Sequence, residues 1–152
     1  MADKTTKNTK EYTFAVGRRK EAVARVRLYT AVKEDLAWDE LKVKKGDILV
    51  NGMQIAEYFP LETMKYVYTE PLRVANAQNK YTFTIRVTGG GKAGQLDAVA
   101  AGIANSLSKL DRDSYRGLLK KKGLLTRDAR VRQRRKVGMG GKSRRQRQSP
   151  KR

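Results

Sequence analysis

The sequence predicts an α/β (α+β) domain carrying a long, extended basic arm at its C-terminal side. Three observations predict it. Apolar and polar residues alternate along 12–16, 22–29 and 81–87, the period of half-buried strands. Leu96, Val99, Ala100, Ile103, Leu107 and Leu110 keep the spacing of one helix face. Twelve of the 26 residues in 127–152 are Arg or Lys, and Asp128 alone opposes them.

Taken in order, Tyr12, Phe14 and Val16 alternate with Thr13 and Ala15 in the first strand. The run Gly17-Arg18-Arg19-Lys20-Glu21 is expected to interrupt it as a basic turn. A second strand follows, with Ala22, Ala24, Val26 and Leu28 on one face and Val23, Arg25, Arg27 and Tyr29 on the other. Arg25 and Arg27 then share a face, the sort of basic surface that lies on a nucleic-acid backbone; the plainer reading is a solvent face with solubilising charges. Residues 30–46 read as an irregular stretch holding the only Trp, Trp38. Asn51-Gly52 between two apolar runs predicts a type I′ hairpin turn, because both central positions need positive φ. A helix is expected from Glu62 to Tyr68, stopped by Pro71. The strand at 81–87 leads into Thr88-Gly89-Gly90-Gly91-Lys92-Ala93-Gly94-Gln95 and then the long helix, where Gly102 allows close approach to the sheet. A last helix is expected from an N-cap near Asp113 to Lys122, with Gly123 as the stop, Leu118 and Leu119 facing the domain, and Leu124-Leu125 pinning the start of the arm.

Strand, glycine turn and helix make the layout of a phosphate cradle, with backbone N–H groups and the positive helix end aimed at an anion. The nucleotide-loop pattern G-x-x-x-x-G-K-[ST] fails, however, since Arg86 stands at its first Gly and Ala93 at its hydroxyl. Gly89, Gly90 and Gly91 therefore read as a tight turn with backbone contact to RNA phosphate. An enzyme that grips nucleotide phosphate with such a loop would also need a catalytic acid or base, and Asp97 is the only local candidate.

The arm names its own partner class. Val131, Val137 and Met139 are isolated among Arg, Gly, Gln and Ser, so no amphipathic period can form and the segment stays extended until a partner orders it. Nine of its twelve cations are Arg, whose fork can hold two phosphate oxygens and stack on a base, which suits folded RNA. Gly138, Gly140 and Gly141 add hinge points, and the 22 residues after Arg130 could span on the order of 70 Å.

Composition sets the remaining bounds. The net charge is +20, while residues 1–111 carry 18 Lys+Arg against 13 Asp+Glu, so the asymmetry is C-terminal. Without Cys or His there are no disulfides, thiolate or imidazole zinc sites, or His-based triads. No cofactor and no small-molecule substrate are expected. Residues 1–11 are polar and Lys-bearing, unlike a signal peptide, and no run approaches a membrane span, so a soluble protein is expected. The expected organisation is a flexible N-terminal extension over 1–11, a globular domain over 12–125 and the basic arm over 126–152. A DNA-compacting, histone-like protein would share the arm; a membrane-active peptide would need an apolar face the arm lacks.

GRRKEAVARVRL at 17–28, the Ile-Leu-Val-Asn-Gly hairpin, Glu57-Tyr58-Phe59-Pro60, the glycine cluster 89–95 and GLLTRDAR at 123–130 occur in this order. With the basic arm ending in Lys-Arg, they resemble the family of the ninth protein of the small ribosomal subunit, in its bacterial form. The resemblance covers about residues 12–152. It implies a four-stranded mixed sheet packed against two helices, with a left-handed β-α-β crossover. It also implies a place in the cytoplasmic ribosome, in the head of the small subunit, among neighbouring ribosomal proteins and on the 3′ domain of the 16S rRNA. The rRNA-binding residues expected are Arg18, Arg19, Lys20, Arg25, Arg27 and Lys92 in the domain. In the arm they are Arg127, Arg130, Arg132, Arg134, Arg135, Lys136, Lys142, Arg144, Arg145 and Arg147. Lys151 and Arg152 are expected to touch the anticodon stem-loop of the P-site tRNA. Two departures are visible. The family closes with an aromatic residue and Ser-Lys-Arg, whereas this chain ends Gln148-Ser149-Pro150-Lys151-Arg152, and the loop 30–46 is longer than the family's short connection.

Overall fold

The computed structural model describes residues 12–31, 37–38 and 41–137. The expectations for residues 1–11 and for 138–152, which include Lys142, Arg144, Arg145, Arg147, Lys151 and Arg152, lie outside the described residues. The elements run β1 (Tyr12–Arg19), β2 (Ala22–Tyr29), β3 (Ala37–Trp38), β4 (Leu41–Lys42), β5 (Ile48–Val50), β6 (Met53–Gln54), α1 (Ile55–Tyr58), α2 (Glu62–Val74), β7 (Thr82–Thr88), α3 (Lys92–Leu110) and α4 (Arg112–Lys121). The main sheet has the order β1-β2-β7-β5-β6, and β3 pairs with β4 in a separate two-stranded ladder within the stretch read as irregular. β5 and β7 are parallel, and their connection through α1 and α2 is the β-α-β crossover; all other pairs are antiparallel. The fifth strand, β6, is only two residues long, because the chain turns into α1 directly after the hairpin. Without it the sheet is the expected four-stranded mixed one.

The Asn51-Gly52 turn forms as predicted, with φ of 49° and 79°. Asn51 does more than turn the chain. Its side-chain amide donates to the Val87 carbonyl at 3.0 Å and accepts from the Val87 amide at 2.8 Å, extending the β5–β7 ladder by one rung. Three other boundaries differ from the sequence reading. β1 continues through Gly17, Arg18 and Arg19, leaving a two-residue turn at Lys20-Glu21, in which Lys20 has φ 51°. α2 runs on past Pro71 to Val74, because Pro71 and Leu72 are buried in the core and hold the turn that the missing N–H weakens. α4 is capped by Asp111, whose carboxylate accepts from the Ser114 amide at 3.1 Å, and only Leu119 of the expected leucine pair is buried. The Ser114 side chain first, and then that backbone bond, hold the Asp111 carboxyl below its ordinary value. Gly123 stops α4 as predicted: the Gly123 amide donates to the Lys120 carbonyl and the Leu124 amide to Leu119, with Gly123 at φ 72°. Leu124 and Leu125 pack partly buried against the core, and the Tyr115 and Tyr81 hydroxyls, 3.0 Å apart, tie α4 to the start of β7.

One face of the sheet forms the core with the helices, through Ala24, Val26, Phe83 and Ile85 against Val99, Ile103 and Leu107. α3 lies nearly bare backbone to bare backbone on β1. A Cβ on Gly17 would overlap the Ala98 carbonyl and the Gly102 amide, and one on Gly102 would come within 2.6 Å of Val26 Cγ2. The opposite face carries Arg25, Arg27 and Arg86. Its far end is covered by the segment after β4, where Val43 is buried and the Thr82 hydroxyl accepts from the Gly46 amide and donates to the Lys44 carbonyl.

Because neither backbone at the Gly17 contact can move aside as a flexible side chain would, G17A is expected to destabilise the domain by about 1–3 kcal/mol. Urea unfolding checks this; an unchanged midpoint would mean that α3 does not rest on β1 as described.

Candidate nucleic-acid interface

The sequence motifs separated by some seventy residues meet at one end of the sheet. The β1–β2 turn and the glycine turn touch: a Cβ on Gly89 would overlap the Glu21 carbonyl, and one on Gly90 would sit 3.0 Å from Ala22 Cβ. Gly89 and Gly90 adopt φ of 74° and 62°, values that L side chains rarely take, so both the conformation and the close approach require glycine. Gly91 is the N-cap of α3, and no side chain caps that end. The turn is stiffened from behind. Gln95 Nε2 donates to the Gly89 carbonyl at 3.1 Å, and the Tyr58 hydroxyl donates to Gln95 Oε1 at 2.9 Å. Lys92 folds onto the same support, its Nζ 3.6 Å from the Tyr58 ring centroid and 3.4 Å from the Tyr58 carbonyl. The result is a braced glycine turn with an exposed ammonium at its rim.

The other expected cations separate into exposed and engaged groups. Lys20 is exposed at the turn. Arg18 is exposed on the edge strand and shares with Arg127 the lining of two adjoining clefts, of about 280 and 350 Å³, between β1, α3 and the root of the arm. Arg25 and Arg27 are exposed on the open sheet face, with Arg27 lying over the Tyr12 ring at 5.0 Å from its centroid. Phe14, 43% exposed, is the register partner of Arg27. Arg132, Arg134, Arg135 and Lys136 line an open groove of about 500 Å³ along the described part of the arm.

Arg19 behaves differently. Its side chain is only 16% exposed and faces inward. Nε lies 3.4 Å from Asp97 Oδ2 on α3, Nη2 lies 3.1 Å from Asp128 Oδ2, and Nη1 donates to the Arg130 carbonyl at 2.8 Å and to the Asp128 carbonyl at 3.5 Å. Asp128 in turn accepts from Arg130, with Nη2 to Oδ2 at 2.7 Å. Asp97, considered above as a catalytic acid or base, is thereby accounted for as an ion-pair partner.

Two sets of cations went unread in the sequence. Arg86 on β7 is the register partner of Arg25, a juxtaposition that depends on strand order and register. On α4, Arg112, Arg116 and Lys120 are exposed at four-residue spacing and so share one helix face; the i, i+4 spacing was a signal available in the sequence. Among the described residues no group of His, Cys, Asp and Glu could hold a metal ion, and no helix is long and apolar enough to cross a membrane.

The family described as ribosomal protein S9/S16 matches the chain over residues 17–152. The chain belongs to that family. Relatives agree with the assignment. The chain is 42% identical over 125 residues to the small ribosomal subunit protein uS9 of Leifsonia xyli subsp. xyli, covering 82% of this chain and 67% of that protein. It is 39% identical over 133 residues to the protein of the same name from Maridesulfovibrio salexigens, covering 88% of this chain and 92% of the relative. Membership of the S9/S16 family makes the chain a structural, non-enzymatic component of the small ribosomal subunit in the cytoplasm. Most of the matched length lies in the domain just described, and the braced glycine turn and the Arg19 cluster both fall within it.

At the arm root, Asp128 has its carboxyl held well below the ordinary aspartate value of 3.8, first by the hydrogen bonds from the Arg130 side chain and backbone, against a smaller desolvation effect, and further by the Arg130 and Arg19 charges. A carboxylate so lowered favours the folded arrangement above its unfolded value, and that contribution disappears as pH falls through the folded value. The Asp128 carboxyl, followed by NMR, is expected to titrate below 3.8. R130A should move the midpoint up towards 3.8, and R19A should move it less. A wild-type midpoint at 3.8, or no response to R130A, would show that these groups do not meet in solution.

Proposed function

We propose that the folded domain binds small-subunit rRNA with the end of the sheet where the β1–β2 turn, the glycine turn and the arm root come together. The arm then continues the contact between rRNA helices. Arg18, Lys20, Lys92 and Arg127 reach phosphates there, the Gly89–Gly91 backbone offers N–H groups to another, and Arg25 and Arg27 extend the contact over the open sheet face. In this division, residues 12–125 dock, 126–152 thread as a basic arm, and 1–11 form an N-terminal extension. The cations from Arg130 through Arg147 neutralise phosphates along the way. The subunit head, with its neighbouring ribosomal proteins, is the setting, and Lys151 and Arg152 touch the P-site tRNA.

The observation that carries the reading is the gathering of exposed cations at the point where the arm leaves the domain. Of the acids close by, Asp97 and Asp128 are engaged by Arg19, while Glu21 lies in the β1–β2 turn and Glu70 lines the cleft with Arg18 and Arg127. A basic platform continuous with a cation-rich segment can meet phosphates on a shaped RNA surface and then follow them inward.

If roughly 6 to 10 phosphates are neutralised, affinity for an rRNA transcript should fall by about three orders of magnitude or more between low and moderate salt. R18A, K20A and R127A should each reduce the salt slope by about one. A wild-type slope of one or two charges would contradict the reading, and equal affinity for duplex DNA would favour a compacting role. Removal of Lys151 and Arg152 should weaken P-site tRNA binding in reconstituted subunits and leave assembly intact. Blocked assembly or unchanged tRNA affinity would refute the role given to the tip.

A further inference from the structure

Arg19 stands among the cations expected to touch RNA, yet it has little left to offer. A guanidinium has five N–H donors. Here Nε faces Asp97, Nη1 serves two main-chain carbonyls, and Nη2 faces the Asp128 carboxylate. All but one of these contacts are with the arm root. Arg19 sits at the end of β1, two residues beyond Gly17 and on the same strand face, so the close approach of β1 to α3 is what carries it to Asp97.

Asp128 presents the complementary puzzle. It is the only acid among the 26 residues from Arg127 to Arg152, in a segment otherwise built to attract phosphate. A carboxylate there repels RNA unless it does something else. It is held by two guanidiniums at once, at 3.1 Å from Arg19 and 2.7 Å from Arg130. The Arg130 side chain folds back on the residue two before it, while the Arg130 carbonyl is gripped by Arg19. The main chain from 128 to 130 is thus fastened to the domain at both a side chain and two carbonyls.

We propose that Arg19 and Asp128 form a clamp that sets the direction in which the basic arm leaves the domain, making Arg19 a positioning residue and not an RNA contact. The clamp presents the first arm cations, Arg127 beside Arg18 and the groove from Arg132 to Lys136, in a fixed relation to the docking end. Ordering that root before binding removes part of the entropy lost when RNA captures the arm. The functional consequence rests on the rRNA-binding reading above; the clamp itself does not.

D128N decides between the alternatives because they predict opposite signs. If Asp128 is only a misplaced negative charge, its removal tightens binding to an rRNA transcript. The clamp predicts instead that D128N and R19A each weaken binding about tenfold while leaving the salt slope of the full chain unchanged. R19K should resemble R19A, since an ammonium cannot span Asp97, the carboxylate and two carbonyls. In the free protein, trypsin should cut after Arg127 and Arg130 several-fold faster in D128N than in wild type, with the urea midpoint of the domain unchanged. Tighter binding by D128N, a slope lowered by about one in R19A, or equal cleavage rates would overturn the proposal. Should the wild-type chain fail to bind rRNA, the functional reading falls, and the cleavage rates still judge the clamp.

Discussion

The contact on which the rest depends is the bare-backbone crossing of α3 over β1 at Gly17 and Gly102. Two chains can come this close only where neither carries a side chain at the crossing, and the positions where a Cβ would collide are those two glycines. Burial of the sheet's inner face drives the packing, but the glycines set the separation. With that separation fixed, residues at the end of β1 lie within side-chain reach of the middle of α3 and of the segment that follows α4. Asn105 donating to the Val16 carbonyl and Lys109 donating to the Phe14 carbonyl line the same seam.

Electrostatics then divides the cations by what surrounds them. In a chain of net charge +20, most guanidiniums among the described residues are exposed and repel one another, which keeps the protein receptive to a polyanion. Arg19 is drawn the other way, because two of the few acids meet there. The same side-chain type therefore has two roles in one small region. Arg18 points to a cleft open to solvent, and its neighbour Arg19 is taken into the structure. Adjacent residues on a strand face opposite sides, so this division follows from the pleat. The outcome is a platform whose braced turns, at Gly89–Gly91 and at Lys20-Glu21, keep their shape while the chain beyond Arg130 supplies length and charge.

Much of this was legible in the sequence. The alternation in β2 and β7 gave both faces of the sheet, and Asn51-Gly52 and Gly123 gave their turns, because each rests on local backbone chemistry. The places where sequence reasoning stopped short are non-local. Gly17 read as the start of a turn, since glycine in a basic run signals one; its role as the surface on which α3 rests appears only once the helix is placed. Pro71 read as a stop, yet burial of Pro71 and Leu72 carries α2 past it. Asp111 supplanted Asp113 as a cap, a shift of half a turn that periodicity does not resolve. Arg19 could not be told from Arg18 by any pattern, because what separates them is an acid 109 residues further on whose carbonyl and carboxylate it reaches. Arg86 joined Arg25 through strand register, which no single segment encodes.

A cryo-electron-microscopy structure of the small subunit containing this chain would show the clamp and the docking end together. Arg19 is expected to keep its contacts with Asp97, Asp128 and the Arg130 carbonyl on the ribosome, while Arg18, Lys20 and Arg127 lie on rRNA phosphates and the chain beyond Arg130 runs between rRNA helices. An Arg19 side chain turned out onto a phosphate, with Asp128 released and the arm leaving in another direction, would contradict it.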